Sequence, residues 1–352
     1  QKALLEYDKR DFDAALDWLD RVTGELEGRF GDAAERVMAR TLALRGTIHA
    51  RLDRHAQATE ALDQADRLLF ALNPRMPEVE LIVSGARGMT AYSRGEYEQA
   101  LQYMQKTLEL QRDLGNEHRT AMIVTLGNMA AIANRLNRPE EALDWDREAV
   151  AIARQTLPAG DPRIGQALYS LGDTLRQLGR FSEALTALRE AAEIQQAAGL
   201  DGDFQMVQLA RARTLFAVGD YPGALAAASS IRPFLAERWG EGSREALLSL
   251  EVELASRALL GENPIPSLRP EIQRRFSALP IQQRDSAMAD LLRWRLADIE
   301  LDYSRPDRVD QWLGFERGDA PEPEHASVLM RWLALRIRRD LAIGERPDPV
   351  RE

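Results

Sequence analysis

The sequence predicts an all-α solenoid of repeated helical hairpins, and three observations carry that prediction. A short pattern, Gly-x-aromatic-x-x-Ala-Leu with variants, returns at Arg10, Asp53, Gly95, Asn137, Gly179 and Gly219, in steps of 43, 42, 42, 42 and 40 residues. Small residues recur at fixed offsets on either side of it. The composition is 45% apolar but only 6% aromatic, with Ala and Leu prominent, which suits close-packed helices better than sheets. A fixed period near 42 over five steps is what stacked hairpins produce, because one hairpin cannot bury its apolar face alone.

Each turn is preceded by a first helix and followed by a second. In Leu171–Ala192, LGDTLRQLGRFSEALTALREAA, Gly179 supplies a tight turn that needs positive φ. Phe181 follows it and can plug a seam between repeats. Ala184 recurs as Ala15, Ala58, Ala100, Ala142 and Ala224, and lets paired helices approach closely. Gly172, seven residues before the turn, is echoed by Gly46, Gly88, Ala130 and Ala212. Ala65, Ala149 and Ala191, twelve residues after it, repeat the small contact toward the following hairpin. A further step of 42 reaches Gly261, where the pattern has decayed. Pro264, Pro266, Pro270 and Pro280 then interrupt it. Helices are expected to return at residues 285–303 and 326–343, with a frayed end. Residues 1–260 therefore read as an array of about six hairpins, the first truncated, and 261–352 as degenerate repeats and capping helices. Gln1 opens in mid-pattern, which reads as the start of an excised piece.

The offsets of Leu171, Gly172, Ala184, Leu188 and Ala191 resemble the tetratricopeptide (TPR) repeat, most closely over residues 1–235. The 42-residue period, the loops TLPAGDPRIGQAL and ALNPRMPEVEL, and the phrase TLGNMA at Thr125–Ala130 resemble the kinesin-light-chain type of that repeat. The resemblance implies a right-handed superhelix and a non-catalytic protein-interaction role. It also implies, for arrays of this type in bacteria, attachment to a kinase or DNA-binding regulator domain.

The charge balance narrows the partners. With 46 basic and 56 acidic residues the chain carries a net −10, and its field repels nucleic-acid phosphates and anionic membranes. No run of about 18 apolar residues is present to span a bilayer. The absence of cysteine removes disulfides and thiolate chemistry but does not choose between cytosol and periplasm. His49, His55, His118 and His325 stand apart, with no pair at metal-binding helical spacing. No phosphate-cradling glycine loop and no Gly-x-Ser-x-Gly elbow occurs. The carboxylates read as exposed-face residues beside arginines, as in Glu140, Glu141 and Arg147. Neither an active site nor a cofactor or metal site is expected. Arg331, Arg336, Arg338 and Arg339, with Trp332, form a basic cluster that suits either a helix C-terminus or an acidic docking segment.

In TPR arrays the first helices line a concave groove for extended peptides or helices. The resemblance places inward positions about three, six and ten residues before each turn. Tyr92, Asn134, Tyr169, Asp173, Arg176, Arg213 and Phe216 are the candidate groove residues so obtained. Asn128 joins them because it matches an asparagine that lies in the groove of the resembled family, where an amide can hydrogen-bond a peptide backbone. The expected partner is a protein or peptide. The alternative is a regulatory domain gated by a small peptide or metabolite, for which a compact pocket with convergent arginines and aromatics would be the sign. Oligomerisation through the C-terminal third stays open.

Overall fold

A computed structural model describes residues 2–9, 11–26, 28, 31–240 and 242–262, together with positions 264, 268, 296 and 299. Every regular element among the described residues is helical. The chain divides into two compact units, Gln1–Arg180 and Phe181–Glu352. The first holds α1 (Lys2–Asp8), α2 (Phe12–Leu26), α3 (Asp32–Arg51), α4 (His55–Ala71), α5 (Pro77–Ser93), α6 (Tyr97–Leu114), α7 (Arg119–Arg135), α8 (Pro139–Thr156) and α9 (Pro162–Gln177). The second holds α10 (Phe181–Ala197), α11 (Asp201–Ala217), α12 (Tyr221–Trp239) and α13 (Arg244–Leu259). The helices expected at 285–303 and 326–343, His325 and the basic cluster around Trp332 lie outside the described residues, apart from the buried helical positions Leu296 and Ile299.

The repeat pattern is a packing pattern. Ala15, Ala58, Ala100, Ala142, Ala184 and Ala224 are all fully buried. On the first helices Gly46, Gly88 and Gly172 are buried, as are Ala130 and Ala212. The reason is distance: a Cβ added at Gly46 would lie 2.6 Å from Leu62 Cδ2, and one at Gly88 2.4 Å from Met104 Cε. From the second turn on, the turn residue is left-handed, with φ of 73° at Gly179 and 78° at Gly95. Asp53 and Asn137 take the same conformation, at 53° and 58°. These are the side chains that tolerate it best, which explains why the pattern survives without its glycine there.

Two further devices repeat. The aromatic after the turn packs on an aromatic three residues before it, as in Tyr7–Phe12, Tyr92–Tyr97 and Phe216–Tyr221, with ring centroids 5.8, 5.5 and 5.6 Å apart. Eight residues before the turn, an arginine reaches back to the preceding hairpin. Arg45 meets Asp20, and Arg87 meets both Asp63 and Asp66 at 2.6 Å. In the second unit the polarity is reversed, with buried Glu253 taking Arg232 at 2.7 Å. Loops between hairpins start helices by capping: Asp161 accepts from the Arg163 backbone N–H at 2.9 Å, with Pro162 in the first turn. The Arg163 guanidinium, then that backbone bond, hold the Asp161 carboxyl down to about 2.

Candidate functional site

Within the first unit, α3 packs on α5 and α7 on α9, whereas α4, α6 and α8 pack chiefly on first helices, with Arg112 of α6 and Glu148 of α8 paired at 2.8 Å. The first helices are thus the closely spaced, inner set of this unit. Their uncovered faces follow one register. On α7 the exposed residues are Ala121, Val124, Asn128, Ala131 and Arg135, at the i, i+3, i+4 spacing of a single face. On α9 the same register gives Arg163, Gln166, Ser170, Asp173 and Gln177, with Ser170 and Asp173 half-buried. These positions lie 16, 13, 9, 6 and 2 residues before their turns. On α3 the register gives Val37, Arg40, Leu44, Thr47 and Arg51, with Leu44 buried, and on α5 Val79, Ile82, Ala86, Met89 and Ser93, with Val79 and Ala86 buried.

Asn128 and Asp173 stand on this stripe. Tyr92, Asn134 and Arg176 come three residues before a turn and stand on its flank, and Phe216 comes three residues before its own turn in the second unit. Tyr92 is 37% exposed and T-shaped against Tyr97, and Phe216 is half-buried on Tyr221. Both therefore also serve their own turns. Tyr169, ten residues before its turn, and Arg213, six before, are half-buried. Asp173 Oδ1 accepts from Arg176 Nη2 at 2.7 Å, and its Oδ2 from Gln177 Nε2 at 3.0 Å. Val124, at 61% exposure the most open large apolar side chain of α7, was missed by counting three, six and ten residues back. Its i, i+4 spacing from Asn128 was the signal.

The inner end of α9 is joined to α7 and α8 by a polar chain. Asn134 Nδ2 donates to Thr174 Oγ1 at 2.8 Å, and Thr174 Oγ1 donates to Asp146 Oδ2 at 2.6 Å. The Ser170 hydroxyl also bears on the Asp146 carboxyl. Asp146 is fully buried, and burial pushes its carboxyl up to about 7, with the hydroxyls opposing and the Asp173 charge adding to the rise. This corrects the reading of the carboxylates as exposed-face residues. Asp146 occupies, nine residues after its turn, the place held elsewhere by Leu19, Leu62, Met104, Leu188 and Ala228. That mismatch is visible once the repeats are aligned.

A cleft of about 650 Å³ lies elsewhere, along α4, lined by His55, Thr59, Glu60, Asp63, Arg67 and Arg94. No group of three His, Cys, Asp or Glu side chains suited to a metal ion occurs among the described residues. No described helix is long and apolar enough to cross a membrane.

A tetratricopeptide-repeat family model matches residues 80–155 and 121–197, and a second tetratricopeptide-repeat model matches 205–229. Over these residues the chain carries tetratricopeptide repeats, similar to those of the kinesin-light-chain-like type. Protein KINESIN LIGHT CHAIN-RELATED 3 of Arabidopsis thaliana is 30% identical over 111 residues, 30% of this chain and 17% of that relative. The chain thus matches less than a fifth of that protein's length. Among solved structures, the apo quorum sensor NprR from B. thuringiensis aligns at a TM-score of 0.66 and 14% identity, over 97% of this TPR chain and 90% of its own. NprR in complex with its cognate peptide NprX aligns at 0.58 and 15%, over 97% and 96%. A Rap protein complexed with Competence and Sporulation Factor aligns at 0.64 and 13%, over 98% of both chains. At these identities the likeness is one of fold, a TPR-like α-solenoid.

Proposed function

We propose that this chain is a non-catalytic protein-interaction module that takes an extended peptide or a helix along the first-helix face, as the sensory or regulatory part of a larger signalling protein. The observation that carries the reading is the stripe on α7, where exposed Val124 and Asn128 sit one turn apart between the alanines at 121 and 131. An apolar contact beside an amide that both donates and accepts suits a peptide, whose backbone needs both and whose side chains need a dry contact. The peptide complex of NprR is consistent with this use of the fold. A small-ligand-gated domain controlling an attached kinase or DNA-binding domain is the other reading. The α4 cleft favours it little, since its lining mixes Glu60 and Asp63 with Arg67 and Arg94 and includes no Phe, Tyr or Trp.

The test is to select peptides from a random library on the purified chain and measure their affinity by fluorescence polarisation. Val124→Glu and Asn128→Ala are expected to weaken the selected peptides about tenfold or more, the scale of a central contact worth over 1 kcal/mol. Glu109→Ala, on the exposed face of α6, should leave them unchanged. Peptides that respond to Glu109→Ala and ignore the α7 variants would overturn the assignment.

A further inference from the structure

The core of this solenoid repeats a hydrocarbon nine residues after each turn, and α8 breaks the rule with Asp146. A leucine there suffices for packing, as Leu62 and Leu188 show, so the carboxyl is not needed to build the hairpin. Its surroundings are equally specific. Thr90 and Thr214, five residues before their turns as Thr174 is, donate to the carbonyls of Ala86 and Ala210 four residues back. Thr174 instead donates across to Asp146 and accepts from Asn134. One hydroxyl proton therefore links a buried carboxyl on α8 to an amide on the flank of the α7 stripe.

At the far end of this chain Asn134 Oδ1 is a buried acceptor with no hydrogen-bond partner, while the Asp146 carboxyl also meets the Ser170 hydroxyl. While Asp146 is ionised, Oδ2 must accept, so Thr174 must donate to it. The only role left at Thr174 Oγ1 for Asn134 is to donate through Nδ2, with its carbonyl turned away. A proton placed on Oδ2 allows each step to reverse: Asp146 donates to Thr174, Thr174 donates onward to Asn134 in place of its own i−4 carbonyl, and the amide of Asn134 turns to accept through Oδ1 and release Nδ2.

We propose that Asp146, Thr174 and Asn134 form a proton-linked switch, in which protonation of the buried carboxyl exchanges the carbonyl for the amide at the end of Asn134 turned away from Thr174. The raised affinity of Asp146 for its proton puts the change near neutral pH. Of the elements packed on α8, α9 faces Asp146 with Ser170, Thr174 and the Asp173 carboxylate, itself paired with Arg176. From α7, Asn134 acts through Thr174.

The measurement needs no ligand, so its failure and that of the groove reading are told apart. The side-chain amide of Asn134 is followed by ¹⁵N–¹H NMR on asparagine-labelled full-length chain from pH 5 to 9, its signals identified by their loss in Asn134→Ala. The wild type is expected to show one titration with a midpoint near 7. Asp146→Asn, Asp146→Leu and Thr174→Val should each show a flat profile. Asp146→Leu reproduces the residue of α4 and α10, which keeps a folded control in hand. A flat wild-type profile, or a titration that persists in Asp146→Leu or Thr174→Val, would overturn the proposal.

Discussion

Replacing Asp146 with leucine should raise the stability of the first unit, and by an amount that depends on pH. In the unfolded chain this carboxyl loses its proton near 3.8, and in the folded chain burial holds the proton to about 7. Between those values the folded state carries the extra proton, so stability falls as pH rises. At 1.36 kcal/mol per unit, the gap amounts to about 4 kcal/mol by pH 8. Leucine removes that loss, and Thr174 is then free to donate to the Ser170 carbonyl, as Thr90 and Thr214 do to theirs. The assay is urea unfolding followed by circular dichroism at pH 5, 6, 7 and 8. With a slope of about 2–3 kcal/mol per molar urea, the midpoint of Asp146→Leu should exceed that of the wild type by about 1–2 M at pH 8. The difference should shrink toward pH 5. Parallel curves at all four pH values would mean that Asp146 is not buried in this network and would refute the reasoning.

Two other outcomes follow from the packing. Gly46→Ala puts a methyl 2.6 Å from Leu62, which is itself buried. It should cost about 1–3 kcal/mol through overpacking, whereas Gly127→Ala, with nothing within 4 Å, should gain up to about 1 kcal/mol from helix propensity. Thermal melts of the two variants decide it, and equal shifts would contradict the close helix approach. His49 has the opposite pH sign to Asp146. Burial, then the charges of Arg54 and Arg45, lower its affinity for a proton. Below about 6.5 the unfolded chain binds a proton that the folded chain resists, so stability drops on acidification. His49→Gln should remove that loss, so its urea midpoint should gain on that of the wild type as pH falls from 7 to 5.

Much of the fold was legible because its rules are local and repeated. Ala58, Ala100 and Ala142 announce helix contacts by recurring at one offset, and the turn at Gly179 announces its conformation by residue type. Even Asp53 and Asn137, which lack the glycine, belong to the few side chains that accept positive φ. The stripe was legible only in part. Counting back from a turn locates a helix face to within one residue, and a one-residue shift rotates a helical position by about 100°. That rotation separates Gly127 from exposed Asn128, and it is why Tyr92 and Asn134 stand on the flank while Val124 stands in the open.

By itself the sequence determined the period, the all-helical class, the small residues at the seams and the left-handed turns, because each depends on a residue and its near neighbours along the chain. Only the tertiary structure decided what Asp146 is. An aspartate on an amphipathic helix reads as solvent-facing until the neighbouring helices are in place. Its burial comes from α7 and α9 closing over α8, and its raised proton affinity from the water they exclude.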